Sequence, residues 1–228
     1  HIQLAFQPQR FITKSWSVGA NYFMRYESPL FKEPIEPQHE IYQGFTPYFI
    51  QGLGLLTTFD TRDNMFYPNK GFFAKLSTWF APKEFASDFA INTVNLDVRQ
   101  YVPLAKNHIF AYQLYGVSMS AVAPFQLMPT IGGPDKMRGF IEGMYKANNV
   151  VLAQAEYRFP LYKRLKGVAF GGVAQLYDAN WRTTNKLKVS YGAGLRYRLN
   201  DTRVHLRFDY AFTNYNEGNF YITATEAF

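Results

Sequence analysis

The chain's four histidines, His1, His39, His108 and His205, are scattered and fit no metal-ligand spacing. Cysteine is absent, which removes thiolate metal sites, cysteine nucleophiles and disulfide scaffolds together. No serine occupies a nucleophile-elbow motif. A hydrolase would have to assemble its triad around His205 and Asp209, with no exposed serine or oxyanion donor to complete it. The expectation is a protein that is not an enzyme, with no catalytic set, metal or cofactor. Charge offers other chemistry. Lys75, Arg99, Arg158, Arg196, Arg198 and Arg207 alternate with apolar residues, against Asp97, Glu156 and Asp209 in the same positions, six basic to three acidic. A cavity wall with that excess favours anions, unless the arginines are interior filler paired with carboxylates. The net charge of +7 contains no basic run longer than Lys163-Arg164, so a nucleic-acid partner is not expected.

What must position these groups is a set of strands. From Val189 to Leu199 apolar residues occupy one parity, and Ser190, Gly192, Gly194, Arg196 and Arg198 the other. After Asn200-Asp201-Thr202 the alternation resumes, with Val204, Leu206, Phe208, Tyr210 and Phe212 opposing His205, Arg207, Asp209 and Ala211, which predicts a hairpin. Residues 150 to 161 repeat the pattern. Ten segments of strand length follow, at about 12–27, 45–60, 71–83, 89–103, 108–121, 148–161, 166–178, 189–199, 203–213 and 219–228, with an incomplete eleventh at 1–6. No helical period competes, so residues 1–228 are expected to form one all-β, antiparallel domain.

Hydrophobic residues at 47% and charged residues at 18% exclude intrinsic disorder. The sequence opens on polar residues, so no signal peptide is visible. The uncharged stretch from Ile109 to Pro134 is long enough for a membrane helix, but three prolines and Gly132-Gly133 argue against one. A soluble sandwich or lipocalin-like barrel would bury the apolar parity, and a transmembrane β-barrel would turn it to lipid; periodicity is the same in both. Three features favour the membrane barrel. Aromatic residues make up 18% of the chain, many at strand ends. The segments run to ten to sixteen residues where a soluble strand has about five or six. Short turns near 103, 161 and 199 alternate with longer connections at 28–44, 121–147, 179–188 and 214–218, the last of these polar.

Four stretches resemble one family. Phe59-Asp60-Thr61-Arg62-Asp63-Asn64 followed by Tyr67-Pro68-Asn69-Lys70-Gly71 resembles the DTRDN-x-FYP-x-x-G turn of the bacterial surface antigen, or outer-membrane assembly factor, superfamily. Gly132 to Phe140, with Met137-Arg138-Gly139-Phe140, resembles the [V/L/M]RG[F/Y] signature of that family's long extracellular loop. Asp178-Ala179-Asn180-Trp181 resembles its D-x-N-W stretch, and Phe228 its terminal aromatic. The family's barrel has sixteen strands with the signature loop between strands eleven and twelve. Counting back from Phe228 puts the 121–147 loop there and makes this chain roughly strands seven to sixteen, a portion of a barrel of about 350 to 400 residues. The first 58 residues carry none of the resemblance, and no repeated periplasmic receptor-type domain stands in front. Without strands one to five the sheet needs closure on itself, another polypeptide, or further chain before His1, and the last is expected.

The resemblance implies that Arg138, with Gly139 and Phe140, folds into the lumen and pairs with acids on the next strands, here Glu156 and Asp178. Glu156 lies on the polar parity; Asp178 shares the parity of Leu176 and needs a bulge or a strand end to reach inward. Asp60, Arg62, Asp63, Asn64, Pro68 and Gly71 form a turn on the periplasmic side, most simply a local salt-bridged one. Phe220, Ile222 and Phe228 would form the C-terminal strand signal on a shared apolar face. The function implied is insertion, assembly or translocation of other outer-membrane proteins through a weak seam at the last strand, in the bacterial outer membrane. Its partners would be unfolded outer-membrane protein clients, outer-membrane lipid or lipopolysaccharide, and periplasmic or lipoprotein accessory subunits. An anion-preferring pore or structural barrel is the alternative.

Overall fold

Period-two segments joined by short turns pair most easily with their chain neighbours, and the chain folds as that meander. The computed structural model describes residues 1–28, 43–224 and 226–228, so most of the connection expected at 28–44, with His39, lies outside the described residues. The strands are β1 (Ile2–Phe6), β2 (Gln9–Phe11), β3 (Trp16–Glu27), β4 (Tyr48–Asp60), β5 (Gly71–Ala81), β6 (Ile91–Ala105), β7 (His108–Met119), β8 (Thr130–Ile131), β9 (Tyr145–Lys146), β10 (Asn149–Tyr162), β11 (Leu165–Tyr177), β12 (Lys188–Arg198), β13 (His205–Thr213) and β14 (Gly218–Ala224). One antiparallel sheet runs β1-β3-β4-β5-β6-β7-β10-β11-β12-β13-β14; β2 also pairs β3, while β8 and β9 make a small separate hairpin.

β1 and β2 are one strand interrupted at Gln7 and Pro8. Proline has no N–H for the ladder, yet the Pro8 carbonyl still accepts from Ala20 N–H at 3.1 Å. The expected partial strand at 1–6 thus continues to Phe11, giving eleven ladder positions, one more than the ten complete strands expected. The strand expected to begin at residue 12 begins at Trp16 because Ile12 to Ser15 turn, with Ile12 N–H donating to Trp16 O at 2.8 Å. Among the described residues β1 and β14 do not pair with each other, so the sheet stays open and the chain does not close as a smaller barrel.

β3 to β7 and β10 to β12 carry 11 to 15 residues, enough to cross a membrane, which takes roughly 9 to 11. β14, with 7, falls short. No helix among the described residues is long and apolar enough to cross. In β13, His205, Arg207 and Asp209 are buried on the concave face while Tyr210 and Phe212 are exposed on the other. In β10, Gln154, Glu156 and Arg158 are buried while Val151 and Tyr157 are exposed. At these positions polar residues face the inside and apolar residues the outside, the reverse of a soluble barrel. The two-residue turns 106–107 and 163–164 lie at one end with the 61–70 and 199–204 connections; 82–90, 120–148 and 178–187 lie at the other. Long loops face outward in such barrels, so the end with the two-residue turns is periplasmic.

Candidate functional site

The 120–148 loop enters the concave side instead of standing in solvent. Its Ile131, Met137, Phe140 and Ala147 pack with Tyr115 and Val117 of β7, Val150 and Leu152 of β10, and Ala174 and Leu176 of β11. Gly132 and Gly139, at φ +105° and +103°, take the left-handed paths that bring this apolar cluster and Arg138 inward. A Cβ on Gly139 would meet Thr213 Cγ2 at 3.0 Å and Phe212 O at 3.1 Å, so the loop backbone lies close against β13.

Arg138 is 2% exposed. Its Nη2 lies 2.5 Å from Glu156 Oε1 and its Nη1 2.7 Å from Asp209 Oδ2, and its guanidinium sits 3.5 Å from the centre of the Phe170 ring. Asp178 is not a partner, which corrects that expectation. β11 ends at Tyr177, and Asp178 Oδ1 accepts the N–H groups of Asn180 and Arg182 at 2.8 and 2.9 Å, closing the turn that contains Trp181. No bulge turns Asp178 inward; the strand simply ends.

Around Arg138 lies a shared network. Glu156 Oε2 is 3.0 Å from Arg158 Nε; Asp209 Oδ1 is 2.5 Å from Arg196 Nη1, and its Oδ2 3.1 Å from Arg207 Nε. Glu226 Oε2 accepts from Arg196 Nε at 2.9 Å. Four guanidinium groups therefore meet three carboxylates, all nearly inaccessible to solvent. Arg207 also reaches the loop, donating to Pro134 O. Lys188 braces the same loop from β12: its Nζ lies 2.8 Å from Tyr215 OH and 3.8 Å from the centre of the Tyr145 ring. β14 holds the loop apex. Asn219 Nδ2 donates to Gly139 O at 2.5 Å, Gly139 N–H donates to Tyr221 OH at 3.0 Å, and Tyr221 OH donates to Phe140 O at 3.2 Å.

At the periplasmic end, Arg62 pairs locally with Asp60, Nη2 to Oδ2 2.7 Å, as a local turn requires. Asp63 does not stay local. Its Oδ1 accepts Asn69 N–H at 2.8 Å, while its Oδ2 lies 2.6 Å from Arg203 Nη1, across the mouth on the β12–β13 connection. Burial alone would raise the Asp63 carboxyl, but the Arg203 hydrogen bond and the Asn69 and Lys70 N–H groups outweigh it and hold it below the ordinary carboxylate range. Asn64 also bridges, its Nδ2 donating to Thr202 O at 3.2 Å. Tyr67 is driven inside, its ring 4.1 Å from the His205 ring, and Pro68 O accepts from Arg158 at 3.4 Å. Gly71, at φ +116°, leads into β5 against the Thr61 carbonyl. The purely local turn is corrected to one that spans the mouth.

The C-terminal residues separate. Phe220 and Ile222 are exposed on the outer face, but Phe228 is 3% exposed and packs with Tyr67, Tyr101, Ile109 and Ala111 inside. The expected strand to 228 ends at Ala224, and Glu226 to Phe228 turn inward, with Arg158 Nη2 donating to Phe228 O at 3.3 Å. The expectation that Phe228 shares the outward face of Ile222 is therefore corrected. Asp209 was legible as an inward acid, though not as a partner of Arg138. Glu226 carried no signal, because parity says nothing beyond the end of a ladder. His205 has Nδ1 2.9 Å from Arg203 O, and the oxygens of Asp209 face arginines, so those two residues do not meet as a catalytic pair.

A family model described as the Omp85 superfamily domain matches residues 2–228. The fold is similar to that in the crystal structure of BamA from Haemophilus ducreyi lacking POTRA domains 1-3, with a TM-score of 0.72 and 16% identity, over 94% of this chain and 52% of that one. The chain thus spans about half the length of that relative. A search of curated proteins finds no match.

Proposed function

The chain belongs to the Omp85 superfamily and is part of a bacterial outer-membrane β-barrel, and from that premise we propose that it inserts or translocates other outer-membrane proteins. It works as a scaffold and not as an enzyme. The outer edge of β14 templates a client strand, whose backbone hydrogen bonds to that edge replace those lost with water. Burial of the client in lipid drives the step, so no nucleotide or other cofactor is needed. The partners are unfolded outer-membrane proteins, surrounding lipid or lipopolysaccharide, and periplasmic or lipoprotein accessory subunits.

One observation carries the reading: β14 is the shortest of the strands from β10 onward and is tied from the lumen to the Gly139–Phe140 apex. A marginal strand held by a docked loop can exchange partners without dismantling the rest of the sheet. The arginines at the centre of the lumen support a pore less well, because Arg138, Arg158, Arg196 and Arg207 are buried and paired and so act as filler. A single cysteine placed at Thr223 of an otherwise cysteine-free full-length protein would form disulfides only with a cysteine-bearing client. We expect client adducts in register during assembly in cells. Adducts absent at every register, with the client still inserting normally, would remove β14 as the template.

A further inference from the structure

A cavity of about 350 Å³ opens at the periplasmic mouth, between the 163–164 turn, the 199–204 connection and the 61–70 turn. It lies within the size range of small-ligand sites, roughly 300 to 1,000 Å³. Lys163, Arg164, Lys166, Arg198 and Arg203 line it together with His205, and no carboxylate does. Only Arg203 has an acidic partner, Asp63; among the described residues the other four cations have none within ion-pair distance. Elsewhere in this lumen arginines are matched by carboxylates, so like charges gathered here without acids leave a local positive field that an anion would relieve.

A second observation points the same way. His205 is 1% exposed, its Nδ1 is engaged with Arg203 O, and its Nε2 is buried without a hydrogen-bond partner. A buried polar nitrogen left unpaired costs about 1 to 3 kcal/mol, which a donor brought to it by a ligand in this cavity would offset. A phosphoryl group suits both features: its charged oxygens accept from Lys and Arg, and a monoester's P–O–H can also donate to a neutral imidazole nitrogen. We propose that this mouth is an anion site for a phosphoryl group. Two sources offer those charged oxygens to the cations: a soluble phosphate, which also carries the P–O–H, and the phosphodiester headgroup of a lipid in the periplasmic leaflet, which meets the cations alone. For the lipid, Leu161 and Tyr162 stand exposed directly before Lys163 and Arg164, where acyl chains would lie beside the entrance.

The test uses the full-length protein. In detergent, inorganic phosphate is titrated calorimetrically against chloride; in nanodiscs, native mass spectrometry compares retention of phosphatidylglycerol with that of phosphatidylcholine. We expect saturable phosphate binding, weakened at least tenfold in Lys166→Gln/Arg198→Gln and unchanged in Lys186→Gln at the opposite end. Heat-modifiable gel migration confirms that each variant folds. Selective retention of phosphatidylglycerol, lost in Lys163→Gln/Arg164→Gln, identifies the headgroup as the source; phosphate binding without lipid selectivity identifies a soluble phosphate. Absence of both in the wild-type protein, or binding that the Lys166/Arg198 pair does not alter in a folded variant, overturns the site. Neither result depends on whether the protein inserts clients.

Discussion

Replacing Arg138 by alanine removes the one guanidinium that joins the loop to β10 and β13 at once. Taking one partner from a buried ion pair typically costs about 3 to 5 kcal/mol, because the other charge is left uncompensated. Here both carboxylates keep company: Glu156 retains Arg158 at 3.0 Å, and Asp209 retains Arg196 at 2.5 Å and Arg207 at 3.1 Å. The deletion also takes the network from four cations and three anions to an even balance. We therefore expect the low end, about 3 kcal/mol, on the docked state of the loop. At 1.4 kcal/mol per decade, that raises the undocked population by about two orders of magnitude while the strands stay paired. Limited proteolysis of residues 120–148 in the folded full-length protein reads this population directly. Glu156→Gln should reproduce part of the effect, and the double variant should be less damaging than the two effects added, because both delete one shared interaction. Strict additivity, or unchanged protection of the loop in Arg138→Ala, would show that the docked loop does not depend on this arginine.

Single spin labels at Tyr210 and Phe212 should be accessible to oxygen in lipid, and labels at Arg207 and Asp209 should not; equal accessibility would reverse the face assignment. Phe228→Ala should cost about 3 kcal/mol in detergent and bilayer alike, since it empties an inward cluster. Ile222→Lys should impair folding chiefly in bilayers, and a Phe228→Ala variant indifferent in both media would contradict the inward turn. The Asp63 carboxyl is held below its unfolded value of about 3.9, so its contribution is fully present above that pH and is lost as pH falls through the folded value. Protection factors at the 61–70 turn, which remove the intrinsic pH dependence of exchange, should therefore fall on acidification through that window in the wild type and change little in Asp63→Asn; parallel profiles would dismiss the brace to Arg203. Glu226→Gln should make the 120–148 loop more protease-sensitive without touching a loop residue, and unchanged sensitivity would uncouple the tail from the loop.

Strand existence and facing were legible because period two is a property of the chain itself: in β13 every inward position, from His205 to Thr213, follows from one residue's orientation. Ladder ends were less so. Phe228 has the parity of Ile222, yet parity binds only while backbone pairing lasts, and pairing stops at Ala224. Asp178 failed for the same reason at the end of β11. The acid partners of Arg138 were half legible. Glu156 and Asp209 both alternate inward, but which of them a loop arginine reaches depends on how the sheet curves, and that brings β10 and β13 together across two intervening strands. The reach of Asp63 to Arg203, 140 residues on, likewise depends on curvature that no local spacing encodes.

Curvature also decides which way strain travels through the lumen. Arg158, Arg196 and Arg207 stand on strands paired on both sides, whereas Arg138 stands on a loop and Glu226 on a tail beyond the last ladder bond. If the tail withdraws Glu226, Arg196 loses the carboxylate on its Nε, and four guanidinium groups are left with Glu156 and Asp209. Repulsion among four cations in a water-poor space falls on whichever can leave, and three of them are fixed by their strands. Arg138 is the one that can move. Its departure pulls on Gly139 and Phe140, the same residues that Asn219 and Tyr221 of β14 hold. Withdrawal of the tail should therefore loosen the loop, and a loosened loop should weaken its hold on β14. On the function proposed above, that sequence would begin at β14, the strand assigned to template a client.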